Sequence, residues 1–184
     1  MTARRLRRVA VLCLGLLLAR AGVAAGEGEG QPDRDLGPQR DFGPAEFAPG
    51  FSIGHIAIIQ QAGSRNDGSI EQAGAWHYAR LEQMGIDNAA SLLQRGYANY
   101  ANAVQLGAAN QLVLQQAGIL NVADVFQSGD YNRASVTAVG IANRASVEQV
   151  GNGNRAEVLQ AGTLLNVVVR QYGDHSRTRI FQFQ

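Results

Sequence analysis

From residue 61 to residue 182 the sequence repeats every eleven residues. Gln stands at Gln61, Gln72, Gln83, Gln94, Gln105, Gln116, Gln127, Gln149, Gln160, Gln171 and Gln182, and only Ala138 interrupts the series. Gly follows two residues after every position up to residue 171, at Gly63, Gly74, Gly85, Gly96, Gly107, Gly118, Gly129, Gly140, Gly151, Gly162 and Gly173. Asn comes three residues later, at Asn66, Asn88, Asn99, Asn110, Asn121, Asn132, Asn143 and Asn154. A small residue and then a branched aliphatic residue complete the unit at two-residue steps, as Ala134 and Val136 do after Asn132. The unit is Asn-x-Ala-x-Val-x-Gln-x-Gly-x-x. A period held this long without net insertion marks a solenoid.

Marked residues two apart share one face of a strand, so Asn, Ala, Val and Gln point the same way. The Gly-containing remainder is expected to form a tight turn in which Gly supplies positive φ. The spacing predicts twelve strands of about seven residues, starting near residues 55, 66, 77, 88, 99, 110, 121, 132, 143, 154, 165 and 176. The expected fold is all-β: a two-sheet parallel β-solenoid of cross-β type over residues 51–184. Its 11-residue strand-turn units pair into 22-residue coils, about six in number. Asn66, Asn88, Asn110, Asn132, Asn154 and Ser176 would then lie in one sheet. His55, His77, Asn99, Asn121, Asn143 and Leu165 would lie in the other.

Charge tests this frame. Between residues 55 and 182 there are eighteen charged side chains, and none falls on the Asn-Ala-Val-Gln face. Five fall in the expected turns (Arg65, Asp87, Arg95, Asp130, Asp174) and thirteen on the opposite strand face. An unpaired buried charge is prohibitively costly, so the uncharged face is the interior. Asn and Gln can be buried if identical amides stack from coil to coil and bond to each other.

The chain's start is different. Arg4, Arg5, Arg7 and Arg8 precede an apolar run from Val9 to Ala19, with small residues at 21–25. That is the pattern of a secretory signal peptide, expected over residues 1–25. The mature chain is expected to have no transmembrane span, since the run is too short for one. Residues 26–50 carry six acids against two Arg and all four Pro, and are expected to be disordered. Cys13 is the only cysteine, which excludes a disulfide framework and a cysteine-based metal site. Residues 51–184 carry nine Arg and nine acids. That balance argues against nucleic acid as a specific ligand.

The segment from Gln116 through Gly118, Asn121 and Ala123 to Gln127 resembles the curlin repeat, and the resemblance extends over about residues 52–184. Curlins are secreted subunits of curli, the functional amyloid fibres of bacterial biofilms; a major subunit forms the fibre body and a minor one nucleates it at the cell surface. The stretch Ile56 to Asn66 and the Arg-bearing segment Arg170 to Gln184 are similar to the minor subunit. The resemblance implies several partners: the major curlin, further copies of this chain, an outer-membrane secretion channel and its accessory factors. It implies an extracellular, cell-surface-associated fibre of a diderm bacterium. It also implies that Arg170, Arg177 and Arg179 serve surface attachment, and that the Gln and Asn positions above form the amyloid-core ladder.

The expected role is structural rather than enzymatic. The residues offer no nucleophile–base constellation and no phosphate-binding loop, and call for no cofactor. Glu71 and Glu82 occupy equivalent outward positions but should face opposite sides. His55 and His77 are expected as adjacent rungs, either standing in for Asn or serving a metal or pH-sensing role. The rival to a fibre subunit is a monomeric, capped solenoid that binds a ligand on a regular outer ladder. The outward positions vary along the chain, which favours the fibre.

Overall fold

The structure is a computed structural model that describes residues 54–184. The expected signal peptide and the acidic segment 26–50 lie outside the described residues. Twelve strands follow one another: β1 (Ile56–Ser64), β2 (Asp67–Ala75), β3 (Tyr78–Ile86), β4 (Ala89–Tyr97), β5 (Tyr100–Ala108), β6 (Gln111–Ile119), β7 (Val122–Ser128), β8 (Arg133–Ile141), β9 (Arg144–Val150), β10 (Arg155–Thr163), β11 (Asn166–Tyr172) and β12 (Arg177–Phe183). Odd-numbered strands form one six-stranded sheet and even-numbered strands the other. Every pairing is parallel with partners 22 residues apart, as in Gln83 with Gln105. The fold is the expected β-solenoid, with six coils of two strands each.

The inner faces meet in a narrow core. Ala79, Leu81, Ala101, Ala103, Leu114, Val136 and their equivalents are buried between the sheets. Alanine at one inner position and a branched residue at the next keep the sheets close while filling the space between them. The buried polar side chains among the described residues are Asn, Gln and His77, with no Asp, Glu or Arg.

Two local features differ from the expectation. Each strand starts one residue later than the spacing predicts, and eight of the twelve run nine residues. In those strands the Gly column usually lies within the strand, not in a turn. Gly85, in β3, has φ 124°, and a Cβ there would stand 2.0 Å from the carbonyl oxygen of Gly107 in the next coil. Close stacking of backbone on backbone therefore demands Gly as much as the dihedral does. The sharp corner comes later, at the residue before each Asn position. Arg65, Trp76, Asp87, Ala98, Ala109, Leu120, Tyr131, Ala142, Leu164 and His175 all hold φ between 52° and 59° there. Gly54 and Gly153 are the glycines of this corner column, with φ 79° and 66°.

Strands β7, β9 and β11 are shorter, at seven residues. Each is followed by a turn with Asp or Asn as its second residue: Asp130, Asn152 and Asp174. These side chains accept backbone N–H groups of the preceding coil: Asp130 Oδ1 from Ala108 (2.8 Å), Asn152 Oδ1 from Asp130 (2.9 Å) and Asp174 Oδ1 from Asn152 (2.7 Å). Side-chain acceptors from the next coil thus take backbone N–H groups in place of ladder carbonyls, and the strand pairing stops at Leu106 with Ser128 and at Ser128 with Val150.

Candidate functional site: amide ladders and stack ends

The glutamines form two columns. In the odd-strand sheet, Gln61, Gln83, Gln105, Gln127, Gln149 and Gln171 form an unbroken chain, each Nε2 donating to the next Oε1 at 2.6–2.8 Å. The second N–H crosses the core to a carbonyl at the start of a strand in the other sheet. Gln83 Nε2 reaches Asp67 O at 2.9 Å, and Gln105 Nε2 reaches Ala89 O at 3.2 Å. An amide has two donors, so a mid-column Gln spends one on the rung ahead and one on the facing sheet. Burial therefore leaves these donors paired, and the column ties the two sheets together.

The even-strand column is broken. Gln72 donates to Gln94 and Gln94 to Gln116, both at 2.8 Å, and Gln160 donates to Gln182 at 3.2 Å. Ala138 occupies the rung between Gln116 and Gln160.

The asparagines work differently from the expected amide-to-amide ladder. Each sits at a corner and brackets backbone. Asn110 Nδ2 donates to Leu106 O (3.2 Å) and Gly129 O (2.8 Å), while its Oδ1 accepts the backbone N–H of Asn132 (3.0 Å). Some corners add an Asn-to-Asn bond, such as Asn110 Nδ2 to Asn88 Oδ1 at 3.1 Å. Asn thus fixes the corner in its own coil and docks the coil that follows.

His77 reproduces this arrangement with a ring. Its Nδ1 accepts the backbone N–H of Asn99 at 3.1 Å, and its Nε2 lies 2.9 Å from Ala73 O. His55 Nδ1 accepts the backbone N–H of His77 at 3.2 Å, and the two rings stack in parallel with centroids 4.9 Å apart. Burial, followed by the neighbouring His77, holds His55 below the ordinary histidine pKa of 6.5. Among the described residues no group of three or more His, Cys, Asp or Glu is gathered as a metal site would require.

The two ends of the stack differ. The first coil carries Gln61, Asn66 and Gln72 at its ladder positions. In the last coil neither corner position is Asn: Leu165 immediately precedes β11 and Ser176 immediately precedes β12. Thr178 replaces the small inner residue found at Ala134 and Ala156, and its Oγ1 takes an N–H of Gln171 at 3.0 Å. That N–H corresponds to the one that earlier Gln residues direct at the next rung.

The model of the curlin associated repeat matches residues 63–92 and 121–151. Those two segments are curlin-associated repeats. No curated protein matches the chain. Both matched segments cover a corner, an inner strand face and the glycine that follows. The repeat family and the solenoid together point to a structural protein. No helix among the described residues is long and apolar enough to cross a membrane.

The structure separates the three arginines that the resemblance groups as attachment residues. Arg170 lies on β11 beside Glu148 (3.5 Å), and Arg179 on β12 beside Glu157 (3.3 Å), so the two occupy opposite sheets. Arg177, on β12, has no carboxylate partner among the described residues. Glu71 and Glu82 likewise sit in opposite sheets, in β2 and β3. The corner column of positive φ was missed in the sequence. Its residues range from Trp76 to Ala98 to His175 and share no chemistry that could mark it.

Proposed function

We propose that this chain is a secreted subunit of extracellular curli fibres, and that it is the minor subunit, nucleating fibre growth at the cell surface by templated stacking. The observation that carries this reading is the difference between the two ends of the stack. A fibre-body subunit must template at both ends, because each copy is both followed and preceded by another. A nucleator needs one templating end. The first coil keeps its ladder Gln and offers the Oε1 atoms of Gln61 and Gln72, the acceptor sides of the two columns. The last coil has Leu165 and Ser176 where a corner Asn would dock the next backbone, and Thr178 engages Gln171. Stacked, in-register strands with amide columns are the physics of cross-β growth, so an end that retains them is a template.

Seeding tests the proposal. Residues 26–184, diluted from denaturant and then added in trace amount to soluble major curlin from the same source, should abolish the lag of its assembly. Assembly of this chain without cross-seeding would instead favour the major, fibre-body role. A stable soluble monomer with no amyloid-dye response would overturn the fibre reading in favour of a monomeric binding solenoid.

A further inference from the structure

Residues 54–184 contain nine arginines. Six of them lie within 4.0 Å of a carboxylate: Arg65 with Asp87, Arg80 with Glu82, Arg95 with Glu71, Arg144 with Asp124, Arg170 with Glu148 and Arg179 with Glu157. The remaining three, Arg133, Arg155 and Arg177, are not scattered. They are successive rungs of one column on the outer face of the even-strand sheet, paired Arg133 to Arg155 to Arg177 in register on β8, β10 and β12. All three are exposed. Neighbouring strands lie about 4.8 Å apart, and like charges placed directly opposite one another destabilise a sheet. Elsewhere on this molecule the outer face answers each Arg with an acid. Here it does not.

Beside this column lies an open groove of about 370 Å³, lined by Gln111, Val113, Arg133, Ser135, Arg155 and Glu157 among others. Glu157 is engaged by Arg179 at 3.3 Å, and Arg133 Nε donates to Gln111 Oε1 at 3.1 Å. The groove thus offers guanidinium groups at the strand repeat, with the neutral hydroxyl of Ser135 and the amide of Gln111 alongside.

We propose that this groove and its arginine column bind a linear anionic polysaccharide with one carboxylate on each sugar. Guanidinium forks match carboxylates in geometry as well as charge. A polyuronate carries one carboxylate on each sugar along its whole length, so a chain lying in the groove brings carboxylates within reach of the guanidinium column. The hydroxyl and amide groups beside the column suit a polyhydroxylated chain better than a lipid surface. The bound polyanion relieves the repulsion among the three stacked charges. The surface lies on the flank of the stack, on β8, β10 and β12, and is separate from the templating first coil.

The test is binding of fluorescently labelled polygalacturonate to the full chain, followed by anisotropy at several salt concentrations. The triple variant Arg133→Gln/Arg155→Gln/Arg177→Gln should bind about tenfold or more weakly, and its dependence of log affinity on log salt should fall by about two. A matched triple, Arg80→Gln/Arg144→Gln/Arg170→Gln, removes the same charge from ion-paired positions on the odd-strand sheet and should change affinity by less than about threefold. The single variant Arg155→Gln removes the central rung with little risk to folding, and should already weaken binding severalfold. Equal losses in the two triples, or no loss in the first, would overturn the proposal. Binding of single-stranded DNA that depends on the three arginines, without binding of polygalacturonate, would overturn it in favour of a nucleic-acid surface.

Discussion

Ala138 sits on the rung next to Gln160, and the buried Oε1 of Gln160 accepts no hydrogen bond from the described residues. In the odd-strand sheet the same oxygen of Gln149 accepts from Gln127 at 2.8 Å. The orphaned oxygen follows from the absent amide. Ala138→Gln is expected to restore the rung, donating to Gln160 and accepting from Gln116. A buried polar atom left unpaired costs about 1–3 kcal/mol, so stability should rise by an amount within that range. The denaturant midpoint of the folded chain checks this. Ala138→Leu, which fills the space without an amide, should give less or nothing.

The stacked histidines make the first coils sensitive to acid. His55 and His77 each use Nδ1 as an acceptor for a backbone N–H, and a protonated Nδ1 cannot accept. His55 is held below 6.5 by burial and by His77, so between the two values the native chain binds fewer protons than the unfolded one. Stability is therefore complete above about pH 6.5 and falls as pH drops through the lowered native pKa. Hydrogen exchange should show the backbone N–H of His77, held by His55 Nδ1, losing protection first on acidification. His55→Asn/His77→Asn should remove that pH dependence; an unchanged profile would show that the pair is not its source.

The two kinds of positive-φ position should respond oppositely to mutation. Gly85→Ala forces a Cβ to 2.0 Å from Gly107 O, where only backbone movement can make room. A loss of more than about 2 kcal/mol is expected. Leu164, 76% exposed with φ 57°, pays the left-handed penalty with little burial in return. That penalty is about 1–2 kcal/mol and exceeds the entropy cost of glycine, so Leu164→Gly should be neutral to stabilising by about 0.5 kcal/mol. Thermal or chemical melting of both variants decides the point.

Asp130 and Asp174 each combine a structural acceptor with a charge. Asn keeps the Oδ1 that receives the backbone N–H and removes the charge. Asp87→Asn/Asp130→Asn/Asp174→Asn should therefore keep the fold apart from the Arg65 pair, and should shorten the lag of dye-monitored assembly, because charges near aggregation-prone strands act as gatekeepers. Unchanged kinetics would assign these residues to turn structure alone.

The strand order, the 22-residue coil and the inward face were legible because a strand exposes its two faces alternately, and no charge occupies the inner one. The amide columns were legible for the same reason at Gln105 and Gln127. What was not legible was local geometry. Asn110 was expected to bond to other amides, yet only its contact with Asn88 is of that kind, and its interactions with Leu106, Gly129 and Asn132 are to backbone, because a short side chain at a corner lies beside backbone groups of its own and the next coil. Gly85 was expected in a turn, and its position in β3 reflects a contact between coils that no local pattern carries. The arginine column was hidden by alternation: in sequence Arg144 falls between Arg133 and Arg155, and only the separation of the sheets sets it apart.

The pairing of every strand with the one 22 residues away also limits how such a chain can change in length. Losing or gaining one residue in a strand would turn its remaining side chains over and put charges in the core. Deleting a single eleven-residue unit would keep each face correct but transfer everything beyond it to the opposite sheet. A deletion of that kind between Arg133 and Arg155 would split the basic column across the two sides of the molecule. Whole coils are thus the natural unit of gene duplication and loss here, and they alone can lengthen the stack while preserving what each side displays.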